Sequence, residues 1–486
     1  MTRPALTTYQ EHHLRPTYDH HAPVLFAPMV RASQAHVVML LEQHLIPPDR
    51  GARLLRGLRA LLAEGGPVPE YDGSVEDVYF QMEKQLAAVL GVPTGELDVQ
   101  LARSRNDLDA GVFRMVLRRQ LLDVTDRLLA TGRIALDRAD RYADVLITGY
   151  THRRPAQPTT IGHVLAGYAE ALVGQAKAYG ALLDEMNRSP LGACAFAGTD
   201  LAINPARVAE LLGFQGLVVN SYEAVAGADH LVRVATLNAQ ALATGARLAR
   251  TLMDWLAWQW VTTPPDFTQG SSIMPQKRNP VVLEHLVSMA GAAAADATGV
   301  LANVGAAWWE DSNNATTDVQ VRLWESCDRS ARFFALLGGF LAEIEPAQPP
   351  SPEQIVATGA TTTAAADALS RHGVPFRAAH SVVGRLIRSG APDSWTGQAV
   401  REAAREAGLA ELTDAAVADL MAAATRPQLV LDRAQADGPG TAAVRAQVAR
   451  LRADLDAVAT YATALHTRLA AADHALDKAV EEWLQQ

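Results

Sequence analysis

Three short passages concentrate the residue types that could do chemistry. The first, "TQGSSIMPQKRNP" at residues 268–280, crowds a glycine, paired serines, two prolines and two cations into thirteen positions between helix-forming, apolar-rich flanks. Gly270 lets backbone N–H groups gather to receive an anion, and Ser271 and Ser272 add hydroxyls. Lys277 supplies a point charge and Asn279 can donate and accept. The same composition would suit a plain polar connector with Pro280 starting the next helix. In the second passage, "GYTHRRPAQPTTIGH" at 149–163, His152 stands beside fixed positive charge, an arrangement suited to acid–base work on an anionic substrate. The third, "LARSRNDLDAG" at 101–111, offers Ser104, Arg105 and Asn106 at a helix entry. Together they could bind a carboxylate, or Ser104 could simply cap the helix with Asp107 in its first turn.

Long helices must position these passages. Apolar residues recur at helical spacing over 111–145, 159–186, 223–260, 281–308 and 318–344, each span far beyond a typical helix of ~11–12 residues. Such Ala- and Leu-rich rods predict a helical bundle that buries several faces of each helix. Three units follow: a smaller helical domain over 1–105 with turns at "IPPDRG" and "AEGGPVPEYDGS", a central long-helix domain over 106–350, and, after the proline-rich "EIEPAQPPSPEQ", a unit of shorter helices over 351–486. No strand-rich segment or short-period repeat is evident.

A chain of 486 residues with 49% hydrophobic and 20% charged side chains fits a soluble globular protein of two or three domains. Its net charge of −10, from 43 basic and 53 acidic residues without a long basic run, argues against nucleic acid as partner. Cys194 and Cys327 suggest neither a disulfide framework nor a metal site. The N-terminus lacks the apolar core of a signal peptide, and no uninterrupted apolar stretch reaches membrane-spanning length. A reducing cytoplasmic location with no membrane partner is expected.

The passages "SRND", "GYTH…AQP…GH" and "GSSIMPQKRNP", in this order and each at a helix boundary, resemble the three signature regions of the aspartase, fumarase and argininosuccinate lyase superfamily. "SPLGACAFAGT", "HGVPFRAAH" and "LVLDRAQADGPGTAAVRAQV" are similar to the argininosuccinate lyase branch, so the resemblance spans nearly the whole chain. It implies an all-α, three-domain subunit whose central helices form a twenty-helix bundle in a homotetramer, with each active site drawn from three chains. It further implies β-elimination that releases fumarate from an N-substituted aspartate through an aci-carboxylate carbanion, with no metal or organic cofactor.

By motif position, the resemblance makes Ser271 the general base. Lys277 and Asn279 then bind the carboxylate on which charge develops, and His152 helps protonate the leaving nitrogen. Ser104, Arg105, Asn106 and Thr151 hold the succinyl carboxylates, with Arg154, Gln157, Ser272, Met274 and Gln320 completing the substrate contacts. The chain departs from the argininosuccinate lyase pattern where the amine is recognised. "EDVYF" stands for "EDIHT", placing Tyr79 and Phe80 at the changed positions, and Arg154 replaces a glutamine. "EAVAGAD" loses a serine and an arginine of the branch pattern. In "WWEDSNNATTDVQVRLW", Asp318 and Gln320 align with the branch, whereas its tyrosine and lysine have no counterpart and Trp308 and Trp309 stand nearby. The released amine is therefore not necessarily arginine. A working argininosuccinate lyase, and loss of another group such as nitrite from nitrosuccinate, are the alternatives; a non-catalytic scaffold is a third.

Overall fold

The computed structural model describes residues 6–63 and 69–485. The first five residues and positions 64–68 of the "AEGGPVPEYDGS" turn lie outside them. A short π-helical turn leads into α1 (Arg15–Glu42), followed by α2 (Pro48–Ala63) and α3 (Val78–Leu90). The central rods are α4 (Arg105–Arg141), α5 (Ile161–Met186), α6 and α7 (Pro205–Leu211 and Ser221–Ala226, both short), α8 (Asp229–Ala257), α9 (Val281–Ala306) and α10 (Gln320–Glu343). Then come five short helices, α11 (Pro352–Ala357), α12 (Thr362–Arg371), α13 (Phe376–Ser389), α14 (Gly397–Glu406) and α15 (Asp414–Thr425), and finally α16 (Thr441–Gln485).

The long-helix expectation matches, with one break. The rod expected over 223–260 is split at Gly227, where the backbone leaves helical geometry before α8 starts. The C-terminal expectation fails beyond residue 425, because α16 is a single helix of 45 residues. Its apolar face, including Leu451, Leu455, Leu465 and Leu469, belongs to the same core as α1 to α5 and α8 to α10. Helices α12 to α15 close a separate small core around Leu369, Val382, Val400 and Leu420. Short strands were also not foreseen. β1 (Leu146–Thr151) pairs antiparallel with β2 (Arg154–Thr160). β3 (Arg188–Ser189) lies parallel to β4 (Gly216–Leu217), and β5 (Gln269–Gly270) pairs antiparallel with β6 (Arg278–Asn279).

Contacts between rods fix their directions. Thr131 of α4 donates to Phe334 O at 2.7 Å, and Tyr142 just beyond α4 donates to Ile344 O at 3.0 Å, so α4 and α10 run parallel. Helix α5 turns back: Gly162 N donates to Tyr142 O at 2.9 Å, while Arg114 near the start of α4 donates to Glu185 O near the end of α5 at 3.3 Å. Gly162 is required at that crossing, since a Cβ there would meet Ala139 O at 2.4 Å. Helix α8 again follows α4, with His230 against Arg114 at its start and Asp254 paired with Arg153 at its end. The 37 residues of α4 extend roughly 55 Å at 1.5 Å per residue. The bundle therefore has two ends far apart, and this separation decides where the motifs can act.

Two helical stretches, Gln10–Glu42 and Val281–Ala306, are apolar and long enough to cross a membrane by length and composition, although charged residues interrupt both. In the first, 78% of the apolar window is packed inside the fold, as a core helix requires. In the second, only 28% is buried, leaving most of α9 facing outward with Leu301 55% exposed.

Candidate active site

One end of the bundle carries the first motif. Ser104 caps α4: its Oγ accepts from Asn106 N at 3.2 Å, and its own N–H donates to Asp107 Oδ1 at 2.9 Å, which completes a capping box. The capping alternative is thus realised, and the second oxygen of Asp107 reaches farther. It accepts the backbone N–H groups of Gly192 at 2.9 Å and Cys194 at 3.1 Å, binding the "SPLGAC" loop to the start of α4. Burial raises the Asp107 carboxyl above its ordinary value even though these bonds favour its charge. Asn106 Nδ2 donates to Ala195 O at 3.2 Å on the same loop.

Arg105 is placed differently from the sequence expectation of a carboxylate-binding cation. Its guanidinium is paired with Asp77 and, at 3.0 Å, with Asp109 one turn on. It also sits over the Tyr79 and Phe80 rings, 5.7 and 5.6 Å from their centroids. Asp77 caps α3 with its other oxygen, accepting from Tyr79 N and Phe80 N at 2.9 and 3.1 Å. Gln320, the first residue of α10, is at this same end. It is fully buried; its Nε2 donates to Thr316 O at 2.8 Å, and its Oε1 has no hydrogen-bond partner among the described residues. Trp308 and Trp309 are 77% and 69% exposed, and the Trp309 carbonyl accepts from Tyr222 Oη at 2.9 Å.

The other end carries the second and third motifs. His152 and Arg153 form the two-residue turn of the β1–β2 hairpin, with φ of 50° and 62°, and Thr151 pairs with Arg154 beneath them. Both turn residues lie in the left-handed region, as such hairpins demand. Arg153 forms two hydrogen bonds to Asp254, one at 2.8 Å, and lies 6.0 Å from the centroid of Trp258, on which Tyr150 stacks. The turn is therefore held from one side and presents His152 and Arg154 to solvent. Gln157, opposite Gly149 across a bulge in the ladder, is exposed too.

The loop at 268–280 is a hairpin closed by β5 and β6, with Gln269 opposite Asn279 and Gly270 opposite Arg278. Ser271 follows directly on that neck. Its Oγ accepts from Met274 N at 3.0 Å and Ile273 N at 3.3 Å, the two-donor environment that favours negative charge on oxygen. Lys277 N donates to Met274 O at 3.0 Å, while the side chains of Ser272, Met274 and Lys277 face outward and Ile273 is 82% exposed. Phe267, just before the loop, packs edge-on against Phe340 of α10 at 5.8 Å, which anchors its base.

The chain thus gathers Ser104, Asn106 and Gln320 at one end of the bundle and displays His152, Ser271, Lys277 and Asn279 at the other. Sequence reading placed Asp107 in the cap of α4 but missed its reach to the 189–194 loop, and it missed Asp77 and Asp109.

Residues 40–294 match the lyase family and residues 359–435 the argininosuccinate lyase C-terminal family. The argininosuccinate lyase of Halobacterium salinarum is 33% identical over 89% of this chain and 88% of its own length. The chain belongs to the argininosuccinate lyase family. It is a carbon–nitrogen lyase with the aspartase/fumarase fold. Argininosuccinate lyase 2 of Agrobacterium fabrum is 34% identical over 78% of the chain and 76% of that protein. Among solved structures, EDDS lyase in complex with formate superposes with a TM-score of 0.85 at 29% identity, covering 99% of this chain and 97% of the other. A class II fumarase from Schistosoma mansoni shares the fold at a TM-score of 0.64 and 15% identity, over 80% of this chain and 88% of that one.

Proposed function

We propose that this argininosuccinate lyase family member eliminates fumarate from an N-substituted aspartate whose amine differs from arginine. The observation that carries the reading is Ser271, set on the neck of an exposed hairpin with two backbone N–H groups on its Oγ. A serine hydroxyl is a poor base until ionised, and these donors, with Lys277 on the same loop, lower the cost of the alkoxide once water is excluded. Ser271 takes the proton from the carbon beside a carboxylate. The electron pair moves onto that carboxylate as an aci-carboxylate, stabilised by Lys277 and Asn279. The C–N bond then breaks, and the nitrogen takes a proton with help from His152. Ser104, Asn106 and Thr151 hold the substrate carboxylates, and Arg154, Gln157, Ser272 and Met274 surround them.

The motif ends are roughly 55 Å apart along α4, so no one subunit assembles the site. A homotetramer solves this, and the outward apolar face of α9 suits helices of other copies. The location that fits such a small-molecule enzyme is the cytoplasm. Fumarate bound to an EDDS lyase variant, 29% identical to this chain over 99% of its length, supports a dicarboxylate product. Tyr79 and Phe80 covering Arg105 support a changed amine. Authentic argininosuccinate lyase activity is the second reading, favoured by the similarity to the Halobacterium enzyme. Ultraviolet detection of fumarate from argininosuccinate and from a panel of N-substituted aspartates decides between them; absence of fumarate from every substrate rejects both.

A further inference from the structure

We propose that the cavity between α1, α3 and the start of α4 is an ammonium-binding subsite, and that the substituent on the substrate nitrogen carries a positive charge and no carboxylate. This rests on the elimination reading above and specifies its substrate class. The cavity, about 180 Å³, opens where the first motif meets the segment leading into α10. Four carboxylates line it, Glu76, Asp77, Asp109 and Asp318, against one guanidinium, Arg105. Both terminal nitrogens of Arg105 are engaged by Asp77 and Asp109, while its Nε is removed from solvent without a hydrogen-bond partner. His21, also on the wall, is held neutral near pH 7, because burial lowers it to about 4.

Two further observations point to a ligand rather than to a self-satisfied ion cluster. Asp109 Oδ1 is removed from solvent and accepts no hydrogen bond, a costly state for a carboxylate oxygen unless a donor arrives. Tyr18 and Tyr79, each at most 3% exposed, supply aromatic surface on the same wall, the other partner that ammonium groups favour. An alkyl ammonium supplies the missing donor and offsets the negative charge. A carboxylate-bearing amino acid such as arginine would bring a second anion to an already acidic lining.

The test compares two substrates, N-(aminobutyl)aspartate and its uncharged isostere N-butylaspartate, with full-length enzyme. Fumarate release should favour the ammonium substrate by about tenfold in kcat/KM. Asp109→Asn, and separately Glu76→Gln at the exposed mouth, should bring that ratio toward one. Calorimetric titration with diaminobutane supplies a readout independent of turnover, and its affinity should weaken about tenfold in either variant. Equal turnover of the two substrates, or diaminobutane binding unaffected in both variants, overturns the subsite. Fumarate release with no preference rejects the subsite alone. Variant-sensitive diaminobutane binding in an enzyme that releases no fumarate from any substrate keeps the subsite and rejects the elimination chemistry.

Discussion

Asp107 accepts the backbone N–H of Gly192 at 2.9 Å while the same carboxylate closes the capping box of α4. One buried side chain therefore sets both the first motif and the loop on which Asn106 rests. Asp107→Asn replaces one acceptor oxygen by an NH₂ that faces N–H donors. The expected loss is about 2–3 kcal/mol of stability, from charge-assisted bonds that have no replacement. Denaturant unfolding checks it, and a midpoint equal to that of the parent would show that the loop holds its place without Asp107.

Acid sensitivity has an identifiable source in His36. Its Nε2 lies 2.7 Å from Leu101 O, and burial, then Arg103, lowers the ring to about 3 from an ordinary 6.5. Folded protein keeps this ring neutral where the unfolded chain binds a proton, so stability is lost as pH falls below about 6.5. Each such histidine contributes at most about 1.4 kcal/mol per pH unit within that window. Asp109, raised to about 6 by burial against the pull of Arg105, acts in the opposite sense: its contribution falls as pH rises from 3.8 toward 6. The difference between His36→Gln and the parent isolates the histidine. The variant should show the shallower decline between pH 6 and pH 4 in denaturant midpoints; parallel curves would remove His36 as the source.

The rods were legible because apolar spacing persists over many turns, and the motif loops because glycine, proline and paired polar residues interrupt it. What escaped was set by contacts distant in sequence. Gly227 ends a helix through its own local geometry, but α16 reads like any amphipathic segment until its leucines meet α4 and α5. Arg105 looked like a free cation because Asp77 lies 28 positions earlier and only the folded chain brings it near. Gln320, whose amide bonds to nearby Thr316, is buried completely by helices that the local sequence does not reveal.

The neck of the signature loop separates its two serines. Ser271 Oγ takes two backbone N–H groups, whereas Ser272 is exposed. Ser271→Ala should lower kcat by a factor of roughly 10²–10⁴, the range for loss of a positioned base, with the oligomer intact by light scattering. Ser272→Ala should cost far less. Equal losses at the two positions would remove the distinction on which the base assignment rests.

Hairpin geometry gives a test of how His152 is held. Arg153 sits beside it in the left-handed turn and is tied to Asp254 of α8. Asp254→Asn keeps the length of that side chain but discards its charge, loosening the turn from one side. Lower kcat with little change in KM is expected, since His152 serves the departing nitrogen rather than substrate capture. A rise in KM alone would instead place the hairpin in binding.

Separation of the motifs along α4 makes the strongest claim on assembly. Ser104 caps its start, and the His152 turn lies beyond its end, roughly 55 Å away. If sites form between subunits, a chain damaged in the first motif and a chain damaged in the third can each supply what the other lacks. Asn106→Ala and Ser271→Ala, each inactive alone, should regain activity when unfolded and refolded together, up to roughly a quarter of the parent value, because some mixed sites receive intact copies of both motifs. Fumarate release by the mixture, compared with each variant refolded alone, is the measurement. A mixture no more active than its components would place every site within one chain and overturn the shared-site assembly.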